Sequence, residues 1–280
     1  MLFECPAPAK INLGLHVLRK RHDGFHDIDT VFLRIGWSDR LSARPAAEVS
    51  MTCSDPGLPT DKGNLCMQAA RLLRETFGVR EGAALHLEKR LPYGAGLGGG
   101  SSDAAATLRL LTCLWKMEVP EARLYELAAL LGSDVTGFLG PAASFAEGRG
   151  ERLTPMAGYR FPFVIVVVVP PVRMATGRAY AMMRPHAEDR PDLRTIVASN
   201  NLARWRTELV NDFEVPVCAA FPEIGGAKEK LMAAGAGYAA MSGSGSAVFG
   251  VFEDAGRAAA VAETFRMGAC RVWHGRALNT

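Results

Sequence analysis

Pro92-Tyr93-Gly94-Ala95-Gly96-Leu97-Gly98-Gly99-Gly100-Ser101-Ser102-Asp103 runs directly into Ala104-Ala105-Ala106-Thr107-Leu108. Glycines at 94, 96, 98, 99 and 100 leave the backbone N–H groups open to an anion, because no Cβ stands in the way. The alanine-rich stretch that follows favours a helix, and a helix start adds unpaired donors and a partial positive charge. A glycine loop opening a helix is a phosphate cradle in physical terms. A tight structural turn is the plainer reading, but five glycines followed by two hydroxyls weigh against it.

The cradle does not name the phosphate. Gly94-x-Gly96-x-x-Gly99 fits the dinucleotide fingerprint, which requires a buried strand before it. The preceding Ala84-Leu85-His86-Leu87-Glu88-Lys89-Arg90-Leu91 is half polar with period two, whereas a central parallel strand reads as continuously apolar. A Gly-Lys-Ser/Thr ending is also missing, so the loop is not a Walker P-loop.

Outward from the loop, the chain of 280 residues is long enough for one large or two modest domains. Hydrophobic residues at 49% and charged residues at 22% fit a soluble globular protein. A net charge of +3 gives no support to a nucleic-acid or membrane surface. Cys5, Cys53, Cys66, Cys113, Cys218 and Cys270 are scattered without a C-x-x-C pair, which points to buried reduced thiols in the cytosol. The apolar run Phe163–Val169 is too short to span a bilayer and reads as a buried strand.

Alternation at Ile11, Leu13, Leu15 and Val17 predicts a half-buried strand, His22-Asp23-Gly24 a turn, and Thr30–Leu33 a second strand. Asn64 is placed to cap a helix through Leu65, Ala69, Leu72, Leu73 and Phe77 that Gly78 ends. Ser101 or Ser102 is read as the cap of the next helix, with Asp103 in its first turn. Pro120 opens a helix whose face is Leu124, Leu127, Leu130 and Leu131, and Gly132 closes it. Helices are expected near 177–183, 221–234 and 258–265, and strands at 163–169, 247–252 and 271–273. Strands and helices alternate without the spacing of a parallel barrel, which gives an α+β class with two domains, 1–157 and 158–280.

Four further clusters carry chemistry. Lys10 and Asn12 share one face of the first strand, where such a pair is ordinarily solvated. His26 follows Phe25 in a loop. Asp134 follows a helix stop, where Ser133 or Asp134 alone would read as an N-cap. Ser242-Gly243-Ser244-Gly245-Ser246 leads straight into an apolar strand, unlike a flexible linker, and fits a tight loop beside a ligand.

In this order, these segments resemble the 4-diphosphocytidyl-2-C-methyl-D-erythritol kinase family of the GHMP kinase superfamily. The resemblance is carried by Pro8-Ala9-Lys10-Ile11-Asn12-Leu13, Arg21-x-Asp23-Gly24-Phe25-His26, Leu91–Ala104 and Leu131-Gly132-Ser133-Asp134-Val135. Gly148-Arg149-Gly150-Glu151, Asn211-Asp212-Phe213-Glu214 and Ser242–Ser246 also look like that family. It implies a ribosomal protein S5 domain 2-like N-terminal domain that binds ATP and a ferredoxin-like C-terminal domain, with the substrates in the cleft between those domains.

It further implies transfer of the ATP γ-phosphate to the 2-hydroxyl of 4-diphosphocytidyl-2-C-methyl-D-erythritol, on the non-mevalonate route to isoprenoid precursors in the cytoplasm. Asp134 would take the hydroxyl proton, and Lys10 would keep Asp134 ionised and stabilise charge at the transferred group. Asn12, Phe25, His26, Thr176 and Tyr180 would form the substrate wall, with Phe25 stacking on cytosine. Asn64 and Pro92, Tyr93, Gly94, Ala95, Gly96, Leu97, Gly98, Gly99, Gly100, Ser101 and Ser102 would hold ATP. Mg²⁺ would arrive with the nucleotide, touching Ser101 or Ser102, and Ser242, Gly243 and Ser244 would form a third loop at the site. Three departures stand out: Phe25 replaces the family's usual Tyr, Thr136-Gly137 its usual Pro-Phe, and residues 172–180, which include Thr176 and Tyr180, lack a clear match. Competing readings are a kinase of another alcohol such as mevalonate or homoserine, a non-catalytic nucleotide-binding protein, and a hydrolase built on Ser242 or Ser244. The last lacks the Gly-x-Ser-x-Gly elbow.

Overall fold

The computed structural model describes residues 1–187 and 189–279. The chain divides into two compact units, each assembled from separated stretches. Unit 1 comprises Met1–Ala9, Trp37–Leu91 and Gly98–Gly140; unit 2 comprises Lys10–Gly36, Pro92–Leu97 and Pro141–Thr280. The long strands β1 (Phe3–Lys20) and β2 (His26–Ala46) contribute residues to both.

In unit 1, β3 (Ser50–Cys53) runs parallel to β4 (Gly82–Glu88), and β4 pairs antiparallel with the C-terminal half of β2, Arg40 opposite Glu88. The helix α1 (Leu65–Phe77) lies between β3 and β4 in sequence. Asn64 caps it by accepting from the Cys66 N–H, and Gly78 ends it in the left-handed conformation, as expected. After β4 come α2 (Gly99–Leu114), α3 (Glu121–Leu131) and the short α4 (Ser133–Gly137). Leu73 of α1, Leu108 and Leu111 of α2 and Leu127 of α3 are all buried.

Three expectations need correction here. Helix α2 begins three or four residues early: Gly98, not Ser101 or Ser102, is its N-cap, no side chain caps it, and Asp103 lies beyond the first turn. Its glycine start replaces the serine cap with open N–H groups. Gly132 likewise precedes α4, with Ser133 and Asp134 inside the helix rather than capping it. Leu130, read as core, is 74% exposed; Ala128 takes the buried position with Leu124 and Leu127.

In unit 2, β5 (Ala143–Glu147) pairs antiparallel with β2, Thr30 opposite Ala146, and β6 (Arg152–Pro155) continues from β5. A second sheet has β7 (Val164–Val169), β8 (Tyr238–Met241), β9 (Val248–Phe252) and β10 (Arg271–Arg276). Its order is β10-β7-β9-β8, all antiparallel. Between β7 and β8 lie α5 (Thr176–Ala181), α6 (Leu193–Ala198), α7 (Leu202–Glu208), α8 (Glu214–Ala220) and α9 (Pro222–Ala233); α10 (Ala255–Arg266) lies between β9 and β10. Strand, helices, strand, strand, helix, strand, in spatial order fourth-first-third-second, is the ferredoxin-like arrangement that the sequence led us to expect.

Every residue of β7 is buried, which is why it reads as unbroken β-branched sequence. Its Val164, Val166 and Val168 share a core with Leu15, Val17 and Ile28 of the first two strands. Nor is β1 half-solvated as its alternation suggested. Lys10 and Asn12 are each 4% exposed and His16 is 1% exposed, so its polar face is covered too. The six cysteines are all free, but only Cys66 is fully buried and Cys113 is exposed, so burial does not explain them as a group.

Candidate functional site

Within unit 2, the polar face of β1 forms a directed hydrogen-bond chain. Lys10 Nζ donates to Asn12 Oδ1 at 2.7 Å, Asn12 Nδ2 donates to Thr30 Oγ1 at 3.0 Å, and Thr30 Oγ1 donates to the Gly14 carbonyl at 2.5 Å. The Thr30 hydroxyl thereby fixes which end of the Asn12 amide faces the lysine. The Lys10 ammonium also lies 5.6 Å from the centroid of the Phe32 ring.

The first half of the glycine loop docks against this strand. The Lys10 N–H donates to the Leu97 carbonyl at 3.0 Å, and the Ala247 N–H donates to the Ala95 carbonyl at 3.0 Å. Between these bonds, Ser242 Oγ donates to the Gly96 carbonyl at 3.0 Å. A Cβ on Gly96 would lie 2.2 Å from the Ser242 carbonyl oxygen, and its φ is +76°, so glycine is required twice over. Gly94, Gly96 and Gly98 all have positive φ, interleaved with L-residues, a backbone pattern that turns successive N–H groups toward one side. Pro92 is buried while Tyr93 is 65% exposed, so Tyr93 presents its ring to solvent.

The Ser242–Ser244 loop joins the same cluster. A Cβ on Gly243 would sit 3.2 Å from Asn12 Oδ1 and 3.4 Å from Lys10 Nζ, which places this turn directly over both side chains. Asn211 holds the loop: its Nδ2 donates to the carbonyls of Met241 and Gly243 at 2.8 and 2.9 Å. Glu214 assists by accepting from the Met241 N–H at 2.6 Å. Neither residue had an assigned role; the Asn211-Asp212-Phe213-Glu214 run was the available signal. Thr30 was also missed, because one threonine in a strand carries no pattern.

The expected substrate wall is brought together in part. His26 stacks on Tyr180 at 4.7 Å and 17° between planes, and Tyr180 meets Phe213 edge-on at 4.9 Å. Partial burial, then Lys20, lowers the pKa of His26 below its usual 6.5. Thr176 Oγ1 lies 3.2 Å from Ser244 Oγ, linking α5 to the serine loop. Phe25 is 53% exposed, and the Arg149 guanidinium lies 4.9 Å from its ring centroid, so one face of the ring is already engaged.

Within unit 1, Gly98–Ser102 forms the start of α2. Ser102 Oγ and Asp103 Oδ1 are buried without a hydrogen-bond partner. An unpaired hydroxyl oxygen in the first turn fits a hard cation carried by a nucleotide. Among the described residues no group of three or more His, Cys, Asp and Glu is placed to hold a metal by itself. Asn64 spends its side chain on structure, accepting from the Cys66 N–H at 2.9 Å and donating to the Pro59 carbonyl at 2.8 Å. Asp134 is the half-buried second residue of α4. In the same helix Thr136 Oγ1 donates to the Ser133 carbonyl at 2.8 Å, so the Thr136-Gly137 departure leaves the turn closed on itself.

Comparison with known proteins places this geometry. The N-terminal domain model of the GHMP kinases matches residues 64–148, and the GHMP kinase C-terminal model matches residues 191–267. A curated 4-diphosphocytidyl-2-C-methyl-D-erythritol kinase of Salinibacter ruber is 52% identical over 265 residues, 93% of each chain. This chain belongs to the 4-diphosphocytidyl-2-C-methyl-D-erythritol kinase family. A second member, from Chlorobium chlorochromatii, is 43% identical over 93% of this chain and 92% of its own. A crystal structure of a 4-(cytidine 5'-diphospho)-2C-methyl-D-erythritol kinase superposes with a TM-score of 0.85 at 38% identity, covering 99% of this chain and all of that one. A homoserine kinase from Cytophaga hutchinsonii, at 16% identity and TM-score 0.72 over 96% of this chain and 94% of its own, shares the fold alone.

Proposed function

We propose that this chain transfers the γ-phosphate of ATP to the 2-hydroxyl of 4-diphosphocytidyl-2-C-methyl-D-erythritol, a step of the non-mevalonate route to isoprenoid precursors. The observation that carries this reading is the 52% identity over 93% of both chains to a kinase of that name. The buried Lys10–Asn12 pair beneath the Ser242–Ser244 turn supports it, because a covered cation beside a loop of donors suits a site that stabilises phosphoryl charge.

In this reading the oxygen–phosphorus bond to the acceptor forms as the γ-phosphorus bond to the bridging oxygen breaks, and ADP leaves. Asp134 accepts the proton of the attacking hydroxyl. Lys10 stabilises the negative charge at the transferred group, and Asn12 keeps its ammonium in place. The Pro92–Ser102 loop binds the nucleotide phosphates, with Asn64 near the base. His26, Tyr180, Phe25 and Thr176 recognise the cytidyl substrate. Mg²⁺ bound with ATP would shield phosphate charge, with Ser102 the side chain fitted to touch it. Residues 1–157 form the ATP-binding and catalytic domain, and residues 158–280 the second domain. Six free thiols support a cytoplasmic setting.

ADP release measured with a panel of alcohols tests this. Turnover with the cytidyl substrate is expected, and turnover with homoserine or mevalonate in its place overturns the reading. Asp134→Asn should lower kcat by about 100- to 10,000-fold while ATP still binds; unchanged turnover would favour a non-catalytic nucleotide-binding protein.

A further inference from the structure

One group of buried charges in unit 1 has been given no role in the chemistry described above. Asp39 in β2, Lys89 after β4 and Asp103 in α2 have side chains 0%, 5% and 5% exposed. Lys89 Nζ donates to Asp39 Oδ2 at 2.5 Å and to Asp103 Oδ2 at 2.7 Å. Asp39 Oδ1 accepts from the N–H groups of Arg90 and Leu91 at 2.6 and 2.7 Å. Those two amides lie immediately before Pro92, where the glycine loop begins.

The far end of the loop meets the same ammonium. A Cβ on Gly99 would lie 3.2 Å from Lys89 Nζ and 3.5 Å from the Leu91 side chain. Lys89 is therefore packed against the first residue of α2, and Asp103 ties it to the turn after. The segment leading into the loop and the helix leading out of it are thus joined through one buried cation.

Stability alone is a poor reason to keep such a group. Burying three charges carries a desolvation cost that hydrophobic side chains of similar volume would avoid. Asp103 moreover keeps one oxygen, Oδ1, buried and unpaired, as is the Oγ of the preceding residue, Ser102. An arrangement that costs stability yet fixes backbone geometry suits a positioning role.

We propose that Asp39, Lys89 and Asp103 form a positioning network that sets the N–H and hydroxyl donors of Gly98–Ser102 for the phosphates of a bound nucleoside triphosphate. The proposal rests on the kinase reading above. In it, Asp39 fixes the two amides before the loop, Asp103 fixes the helix after it, and Lys89 holds the two at a set separation. None of the three touches the reacting atoms.

The test is calorimetric titration with the unreactive ATP analogue adenylyl imidodiphosphate and magnesium, alongside steady-state kinetics. Asp103→Asn keeps the size and shape of the side chain and should weaken analogue binding about tenfold, the range in which groups that orient a ligand's direct contacts act. KM for ATP should rise in step, while kcat at saturating ATP and KM for the alcohol stay within about twofold. Lys89→Gln should move the same two quantities in the same direction. A lower melting temperature with unchanged analogue affinity and KM would make the network merely structural and overturn the proposal.

Should Asp103→Asn not fold, hydrogen exchange on the unaltered protein decides. The analogue should then protect the Arg90 and Leu91 amides together with 98–102, and protection confined to 98–102 overturns the proposal. A wild-type protein that binds no analogue would instead count against the kinase reading itself.

Discussion

The Lys10 ammonium is held 2.7 Å from the Asn12 side-chain oxygen, with both residues only 4% exposed. A buried lysine oriented by a neutral amide is held in a fixed place under the Ser242–Ser244 turn. Lys10→Met preserves the length of the side chain and removes its charge. It should lower kcat by about 100- to 1,000-fold, the effect of removing one preorganised charge-stabilising donor, with the circular dichroism spectrum unchanged. Thr30→Val, which frees the Asn12 amide to turn, should give a smaller fall in the same direction.

Gly96→Ala places a methyl group 2.2 Å from the Ser242 carbonyl oxygen, in a residue whose φ is +76°. The backbone of one loop or the other must shift. Strain of this kind costs about 1–3 kcal/mol, so a lowered melting temperature is expected together with a raised KM for ATP. Gly94→Ala is the contrast, because nothing lies within 4 Å of its Cβ position. Gly94 also has positive φ, so its conformational strain is shared and the difference between the two variants reports the clash alone. Equal melting temperatures would show that the Ser242 turn yields freely.

His26 has its pKa lowered from 6.5 by partial burial and by Lys20. It is therefore neutral at pH 7 and gains its charge only as pH falls below 6.5. A cytosine edge recognised by a neutral imidazole predicts a KM for the cytidyl substrate that is flat above pH 6.5 and rises below it. His26→Gln should flatten the low-pH limb. A KM for the wild type that is constant from pH 5 to 8 would remove His26 from recognition.

Burial pushes the Asp103 carboxyl from 3.8 up to about 7; the Asp39 carboxylate adds to the rise and Lys89 opposes it. The Cys66 and Cys5 thiols also face it. Because the folded value lies above the unfolded one, the folded protein binds more protons between pH 4 and 7. Stability contributed by this group therefore falls as pH rises through that window and is level above it. Melting curves should show the wild type losing stability relative to Asp103→Asn from pH 4 to 7, with a constant difference from pH 7 to 9.

The glycine loop, the capped α1 and the valine strand β7 were legible because each rests on local chemistry: left-handed glycines, an asparagine cap, a buried β-branched run. The ferredoxin-like order followed from the family resemblance and not from periodicity. What stayed hidden was non-local. Alternation along β1 marks one face as apolar but is silent on what covers the other, so Lys10 and Asn12 read as solvated. Thr30, Asn211, Asp39 and Lys89 gain meaning only from partners far away in sequence. The helices α6, α7 and α8 were not anticipated: each is only six or seven residues long, so a helical period barely shows, and α5, equally short, was placed only approximately.

The hydrogen bond from Ser242 to the Gly96 carbonyl joins residues 146 positions apart in the chain. Contacts of that span close late in folding, because the entropy of the intervening loop is lost before they form. During synthesis the glycine loop is complete long before its partner turn has been made. A chain arrested between residues 103 and 242 thus carries the glycine loop in full, yet lacks its contact with Ser242. On the ribosome, the loop therefore depends first on the bond from the Lys10 N–H to the Leu97 carbonyl, and the Ser242 contact is added only after the second sheet has begun to form.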